Sequence, residues 1–156
     1  MSLLKLALAI LMGVITLTSH VRAEQSEIIG VWQTIDDDTH KVRSLVELSI
    51  TDGKLFGTII KLFPEKGDPN DPICDKCEGA QKNSPVLGLK IIDGLALIKG
   101  KWRDGEILDP DNGKIYDCRI WEEDGKLMVR GYIGFFFRTQ EWIRHQSNEQ
   151  LPSSAN

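Results

Sequence analysis

Three cysteines are the residues of this chain whose chemistry is easiest to define: Cys74, Cys77 and Cys118. C-x-x-C spacing occurs in thioredoxin-like redox sites, where a helix N-terminus after a strand lowers the thiol pKa. The sequence around Cys74 predicts neither element. A structural zinc site needs four ligands, and His40 and His145 lie at spacings unlike those of a zinc finger. We therefore expect no metal and no cofactor.

A disulfide is the other use of these cysteines. Three cysteines in an oxidising compartment form at most one intramolecular bridge. Chain entropy favours a long bridge to Cys118 at about 4 kcal/mol, against about 2 kcal/mol for the Cys74–Cys77 loop. Position favours the short bridge, because Cys118 alternates with Tyr116 and Ile120 on one strand face and resembles a small buried apolar residue. We predict Cys74–Cys77, with a long bridge as the alternative.

Carboxylates and histidines suggest catalysis or calcium binding, but their positions favour turns. The cluster Asp36–Asp38 lies in a predicted turn, where repulsion favours solvation. The segment Asp109–Gly113 imitates the start of a calcium loop, yet Ile120 stands where the bidentate Glu would be. His40 and His145 adjoin a turn and the tail, and no G-x-S-x-G motif occurs. No enzyme class is favoured, and a non-enzymatic role is the stronger expectation.

Polar residues in the middle of predicted strands are the candidates for ligand binding: Tyr116, Arg130 and Gln140. Arg130 is out of phase with Leu127 and Val129, which favours a solvent-facing side chain. If it faced inward instead, it would need a partner, because an unpaired buried guanidinium is very costly.

The elements that would position these residues are strands. Tight-turn dipeptides that tolerate positive φ punctuate β-branched and aromatic runs, namely Asp52-Gly53, Asp93-Gly94, Asp104-Gly105, Asn112-Gly113 and Asp124-Gly125. The predicted strands cover residues 28–35, 42–50, 54–62, 85–92, 95–102, 106–108, 114–121, 126–133 and 136–144. This order predicts an all-β protein, an antiparallel up-and-down β-barrel of eight to ten strands, because closing the meander removes its exposed edges. Such a barrel either just fills with side chains or holds one small ligand.

The N-terminus indicates export. Lys5 precedes an apolar run over residues 6–17, and Val21-Arg22-Ala23 supplies a cleavage pattern, whereas a membrane-spanning helix needs about 20 apolar residues. We predict a signal peptide over residues 1–23, a barrel domain over 24–145 and a flexible tail over 146–156. An uncleaved anchor is the alternative. The exported chain would be periplasmic or secreted.

Charge restricts the partners. Removal of the signal peptide lowers the formal net charge from −4 to −6, and no run of Lys or Arg remains. Nucleic acid and anionic lipid surfaces are attracted by basic patches, so we expect neither as a partner. The chain is expected to be a monomer.

Several motifs together resemble a family of exported bacterial proteins catalogued as domain of unknown function 2147, which is similar to the calycins, the lipocalin-like barrels. They are Gly30-Val-Trp-Gln-Thr, Asp52-Gly-Lys-Leu-Phe-Gly, Cys74-Asp-Lys-Cys77, Pro85-Val-Leu-Gly-Leu, Ile107-Leu-Asp-Pro-Asp-Asn-Gly-Lys-Ile-Tyr116, Val129-Arg-Gly-Tyr-Ile-Gly134 and Arg138-Thr-Gln-Glu-Trp-Ile-Arg144. The resemblance implies a barrel and no activity. It also implies that Gly30, Trp32 and Arg144 close the barrel, with the guanidinium over the indole contributing about 0.5 to 2 kcal/mol.

Two functions remain open. The leading hypothesis is a periplasmic barrel that binds a small molecule or lipid of apolar or amphipathic character. The alternative is a protein-interaction module of the cell envelope, acting through the loop over residues 63–84. That loop of about 22 residues exceeds the roughly 15 residues that ordinary loops seldom surpass. An internal cavity would favour the first hypothesis, since a filled barrel cannot hold a ligand.

Overall fold

Eight antiparallel strands form one closed barrel in the computed structural model, which describes residues 27–146. The strands are β1 Gly30–Ile35, β2 Val42–Thr51, β3 Lys54–Leu62, β4 Lys90–Ile98, β5 Lys101–Asp109, β6 Lys114–Glu123, β7 Lys126–Ile133 and β8 Phe136–Arg144. The predicted signal peptide and nearly all of the predicted tail lie outside the described residues. Between residues 27 and 146, no helix is long and apolar enough to cross a membrane.

The all-β, up-and-down architecture predicted from the turns is confirmed, with eight strands. Each strand pairs with the next one in the chain. The sheet closes where β1 meets β8, through the pairs Trp32↔Arg144 and Gln33↔Ile143.

Three of the connections are two-residue turns with positive φ at both positions, as right-handed strand twist favours. Two were predicted: Asp52-Gly53, with φ of 50° and 72°, and Asp124-Gly125, with φ of 53° and 75°. The third, Lys99-Gly100, with φ of 51° and 74°, connects β4 to β5 and was not predicted.

Two predicted turns are wrong, because Asp93-Gly94 and Asp104-Gly105 lie inside β4 and β5. Gly94 and Asp104 do have positive φ, of 71° and 60°. Each lies next to a shift in strand register, where the chain continues in the same direction and does not reverse. A positive φ serves a bulge as well as a turn. The strands also approach closely here, since a Cβ on Gly105 would lie 2.5 Å from the carbonyl oxygen of Asp93.

The long loop between β3 and β4 is fixed onto the barrel. Cys74 and Cys77 form a disulfide, with Cα atoms 5.3 Å apart, and Cys118 is a buried free thiol. Lys76 Nζ donates a hydrogen bond to the carbonyl of Asp111 in the β5–β6 turn at 2.8 Å. A Cβ on Gly113 would overlap the carbonyl of Lys76. The loop therefore packs directly against this turn.

The core fills one end of the barrel. Its largest fully buried side chains include Trp32, Trp142, Val46, Leu48, Leu55, Ile92, Leu95, Ile120 and Leu127. The Trp32 indole N–H donates to the carbonyl of Ile28 at 2.9 Å, so its polar atom is satisfied inside the core. Apolar residues at every second strand position bring these side chains together.

Candidate functional site

A cavity of about 750 Å³ occupies the other end of the barrel. Its volume lies within the range of about 300 to 1,000 Å³ that is usual for small-molecule sites. The β1–β2 and β5–β6 connections and the adjoining ends of β7 and β8 contribute residues to its mouth, among them Asp37, Asp111 and Phe136. The barrel is thus not filled by its own side chains.

Most of the cavity wall is apolar. The strands contribute Ile59, Leu62, Ile107, Val129 and Trp142, and the long loop contributes Phe63, Pro64, Pro69, Pro72 and Val86. The strand residues reach the cavity because they alternate with outward-facing ones. The loop over residues 63–84 is therefore part of the cavity wall.

Five hydroxyl and amide side chains interrupt the apolar wall: Thr34, Ser44, Asn112, Tyr116 and Gln140. Thr34 and Ser44 share a hydrogen bond of 2.8 Å. The Tyr116 hydroxyl accepts a hydrogen bond from the Asn112 amide at 3.0 Å, and the Gln140 carbonyl accepts one from the Trp142 indole at 3.3 Å. An apolar lining with a few positioned polar groups is the usual composition of a small-molecule site.

The structure separates the three predicted ligand-binding residues. Tyr116 and Gln140 line the cavity. Arg130 lies on the outer wall, where Nε donates to Thr139 at 2.6 Å and the guanidinium stacks 4.4 Å from the Phe137 ring centroid. Arg130 thus takes the outward position that its phase against Leu127 and Val129 favours, and it does not line the cavity.

Thr34 and Ser44 were missed by the sequence analysis, although a signal for both existed. Ser44 continues the alternation of Val46 and Leu48 toward the start of β2, and it is buried. Thr34 stands two residues after Trp32 and pairs with Ser44 across the strands. Extending the strand periodicity by one step would have found them.

Charges at the mouth are predominantly negative. Five aspartates and two arginines line it, which leaves an excess of three negative charges: Asp36, Asp37, Asp68, Asp109, Asp111, Arg43 and Arg138. Both arginines are paired, Arg43 with Asp68 at 2.9 Å and Arg138 with Asp37. These exposed pairs contribute little stability individually; they connect β2 to the long loop and β8 to the β1–β2 turn.

Local hydrogen bonds favour the ionised forms of Asp36, Asp68 and Arg43 at the mouth. The backbone N–H of Thr39, at 2.7 Å, holds the pKa of Asp36 below its ordinary value. The backbone N–H of Glu65 and the guanidinium of Arg43 lower the pKa of Asp68. Hydrogen bonding to Asp68 in turn raises the pKa of Arg43.

The closed end places Gly30, Trp32 and Arg144 together. The Arg144 guanidinium lies 4.2 Å from the Trp32 ring centroid, and Nη1 donates to the carbonyl of Ile29 at 3.1 Å. A Cβ on Gly30 would lie 2.9 Å from Nη1, so the glycine leaves room for the arginine. This contact covers the indole at the barrel end opposite the cavity.

Other candidates for chemistry are dispersed. His40 is exposed in the β1–β2 turn, and His145 contacts Gln33 at 3.3 Å. The Asp109 carboxylate accepts hydrogen bonds from Asn112 and from the Asp111 N–H, within its own turn. Within the described part of the chain, no three His, Cys, Asp or Glu residues cluster as metal ligands would.

Comparison with known proteins identifies a family and a fold. The family described as "Uncharacterized protein conserved in bacteria (DUF2147)" matches residues 30–144, which confirms the resemblance read from the motifs. No curated protein matches the sequence. A solved structure described as "Protein HP1028 from the human pathogen Helicobacter pylori belongs to the lipocalin family" matches with a TM-score of 0.64 at 20% identity, covering 77% of this chain and 84% of that one. At this identity the likeness shows a lipocalin-like fold.

Proposed function

We propose that this chain, which belongs to the bacterial DUF2147 family, is an exported barrel that binds a small apolar or amphipathic molecule in its open end. The cavity of about 750 Å³ is the observation that carries the proposal. A barrel built only for stability gains nothing from leaving such a volume unfilled, because empty space forfeits dispersion contacts. The apolar run and Val21-Arg22-Ala23 support export.

The wall and the mouth restrict the ligand's chemistry. Apolar side chains surround the deep part of the cavity, while Tyr116, Gln140, Thr34 and Ser44 can hydrogen-bond to a polar group. The excess negative charge of the mouth disfavours an anionic head group, since like charges repel where solvent screening is incomplete. The ligand is therefore a neutral or cationic molecule with an apolar body.

Gly131 offers a direct test, because it faces the cavity. A Cβ there would meet Tyr116 Cβ at 3.5 Å and Ile107 at 3.7 Å, which is ordinary contact. Gly131→Ala should therefore leave the cavity open, whereas Gly131→Phe should place a ring inside it. Titration with the neutral fluorophore N-phenyl-1-naphthylamine should show binding to the wild type and Gly131→Ala. The affinity should fall at least tenfold in Gly131→Phe.

The charge of the fluorophore provides a second comparison in the same experiment. The anionic fluorophore 1-anilinonaphthalene-8-sulfonate should bind more weakly than the neutral one, because of the acidic mouth. Thermal unfolding must show that Gly131→Phe is folded; if it is not, Gln140→Phe fills the same cavity from β8. Equal affinity of the neutral fluorophore for the filled and open variants would refute the proposal.

A further inference from the structure

The β7–β8 turn carries the most exposed aromatic residues in the described part of the chain. Phe135, Phe136 and Phe137 are 101%, 79% and 60% exposed, and Ile133 beside them is 48% exposed. Single exposed apolar residues are normal on a protein surface. Four within five consecutive positions at the end of a hairpin form a patch of the kind that marks an interaction site.

The backbone of the β7–β8 turn places Phe135 at the end of the hairpin. Ile133 pairs with Phe136, which leaves Gly134 and Phe135 as the two turn residues, and Gly134 has a φ of 57°. The Phe137 ring packs beside Tyr132, with centroids 5.9 Å apart. Phe135 therefore stands at the apex of a paired hairpin, whose base is tied into the barrel by the β7–β8 pairing.

The charge around the tip differs from that of the rest of the mouth. The segment from Arg130 to Arg138 contains two arginines and no carboxylate, and of the two arginines Arg138 is paired with Asp37 of the β1–β2 turn. The acidic residues of the mouth come from the β1–β2 turn, the long loop, the end of β5 and the β5–β6 turn. On the outer wall, Arg130 stacks over Phe137 and Arg119 lies 4.9 Å from the Tyr132 centroid. Aromatic rings beside guanidinium groups suit the boundary between lipid tails and phosphates.

We propose that the β7–β8 tip, residues 133–137, inserts into the interface of a lipid bilayer and directs the cavity mouth toward the lipid. Phe136 and Ile133 belong to both the tip and the cavity mouth, so the two sites are continuous. The proposed function supplies the reason for docking, since an amphipathic ligand resides in lipid. Docking itself concerns a different surface and is tested separately.

Insertion of aromatic side chains, rather than charge attraction, should drive this binding. The formal net charge of −4 and the acidic side of the mouth oppose general attraction to anionic lipid. We therefore expect binding to zwitterionic vesicles of phosphatidylcholine and phosphatidylethanolamine. Addition of an anionic lipid should strengthen it less than threefold.

Flotation of the exported chain, purified from the periplasm, with such vesicles tests the tip. Phe135→Asp removes the apex ring without altering a cavity-lining residue, and it should reduce the bound fraction at least tenfold. Ile29→Asp is the matched control, since Ile29 is 44% exposed beside the closed end of the barrel. It should float like the wild type. The apolar residues 6–17 lie within the predicted signal peptide and are expected to be absent from the exported chain, so the difference isolates the tip.

An environment-sensitive label gives a second readout. A nitrobenzoxadiazole group attached to Phe135→Cys should increase in emission and shift to the blue on vesicle addition, while the same label on Ile29→Cys should not change. Cys118 is buried, so it should not compete for the label.

Three results would overturn the proposal. One is equal flotation of the wild type and Phe135→Asp, and another is an equal loss in both Asp variants. The third is a dimer in gel filtration that Phe135→Asp disrupts, without vesicle binding, which would make the tip a contact between copies. Titration with N-phenyl-1-naphthylamine in solution reports on the cavity alone, so failure of docking and failure of ligand binding are distinguishable.

Discussion

At the scale of single residues, the environment of Cys118 determines its reactivity. The thiol is 2% exposed inside the barrel, and burial raises its pKa to about 12. The thiolate is the reactive form, so at pH 8 only about one molecule in 10,000 would carry it. The disulfide between Cys74 and Cys77 leaves no other free thiol in the chain.

The folded protein should therefore resist thiol modification. We expect less than about 5% reaction of Cys118 with a disulfide reagent at pH 8, over a time in which one equivalent reacts in denaturant. Raising the pH toward 10 should increase the rate, because deprotonation of a thiol with a raised pKa becomes more frequent. Rapid reaction of one full equivalent at pH 8 would show that Cys118 is accessible.

Trp32 provides a second prediction at this scale. It is 0% exposed, bonded to Ile28 and covered by Arg144. Trp32→Ala should lower the free energy of unfolding by about 3 to 5 kcal/mol, as expected for a buried aromatic truncation. Trp121→Ala is the control, since that ring lies on the outer wall under Arg130 and should cost less than about 2 kcal/mol. Urea unfolding of the two variants makes the comparison; equal losses would contradict this account of the closed end.

At the scale of elements, the long loop and the β5–β6 turn behave as one unit. The Cys74–Cys77 segment lies against Gly113, where a Cβ would overlap the carbonyl of Lys76. Gly53, in the β2–β3 turn, has nearly the same φ, 72° against 73°, but nothing lies within 4 Å of the position that a Cβ would take there. Substitution of Gly53 therefore tests the cost of the backbone conformation alone, whereas substitution of Gly113 adds the cost of displacing the neighbouring loop.

Alanine substitution should expose that difference. Gly53→Ala should cost about 1 to 2 kcal/mol, the usual penalty for a side chain in the left-handed region. Gly113→Ala should cost at least about 1 kcal/mol more, because the loop must move away. Urea unfolding gives the energies, and amide hydrogen exchange in residues 72–78 should accelerate only in Gly113→Ala. Equal energies and unchanged exchange would show that the loop does not depend on this contact.

The turns show what the sequence could and could not predict. Asp52-Gly53 and Asp124-Gly125 reverse the chain as predicted, because their local conformational preference and the neighbouring strand periodicity agree. Asp93-Gly94 has the same local preference, yet it lies in a bulge, because the pairing of β4 with both neighbours determines the outcome. Local composition specifies a positive φ but not whether the chain reverses there.

At the scale of the whole molecule, closure of the barrel is predictable and its interior is not. Mid-strand positions made Tyr116 and Gln140 candidates without deciding which face of the sheet they occupy, and in the structure both line the cavity. The unfilled volume depends on how far the core extends from Trp32 and on where the long loop lies, which no short segment encodes. The polar pair Thr34 and Ser44 is different, because both residues lie at positions that the strand periodicity reaches when it is extended by one step.

Native mass spectrometry of the protein isolated from the bacterial periplasm is the sharpest test for a ligand in the barrel, because it detects a bound molecule without the choice of a probe. We expect a chain that begins at Glu24 and carries one bound molecule, neutral or cationic, in the wild type and in Gly131→Ala. Gly131→Phe should carry none. A chain with no bound molecule, or one bound equally by the Gly131→Phe variant, would contradict a ligand in the barrel.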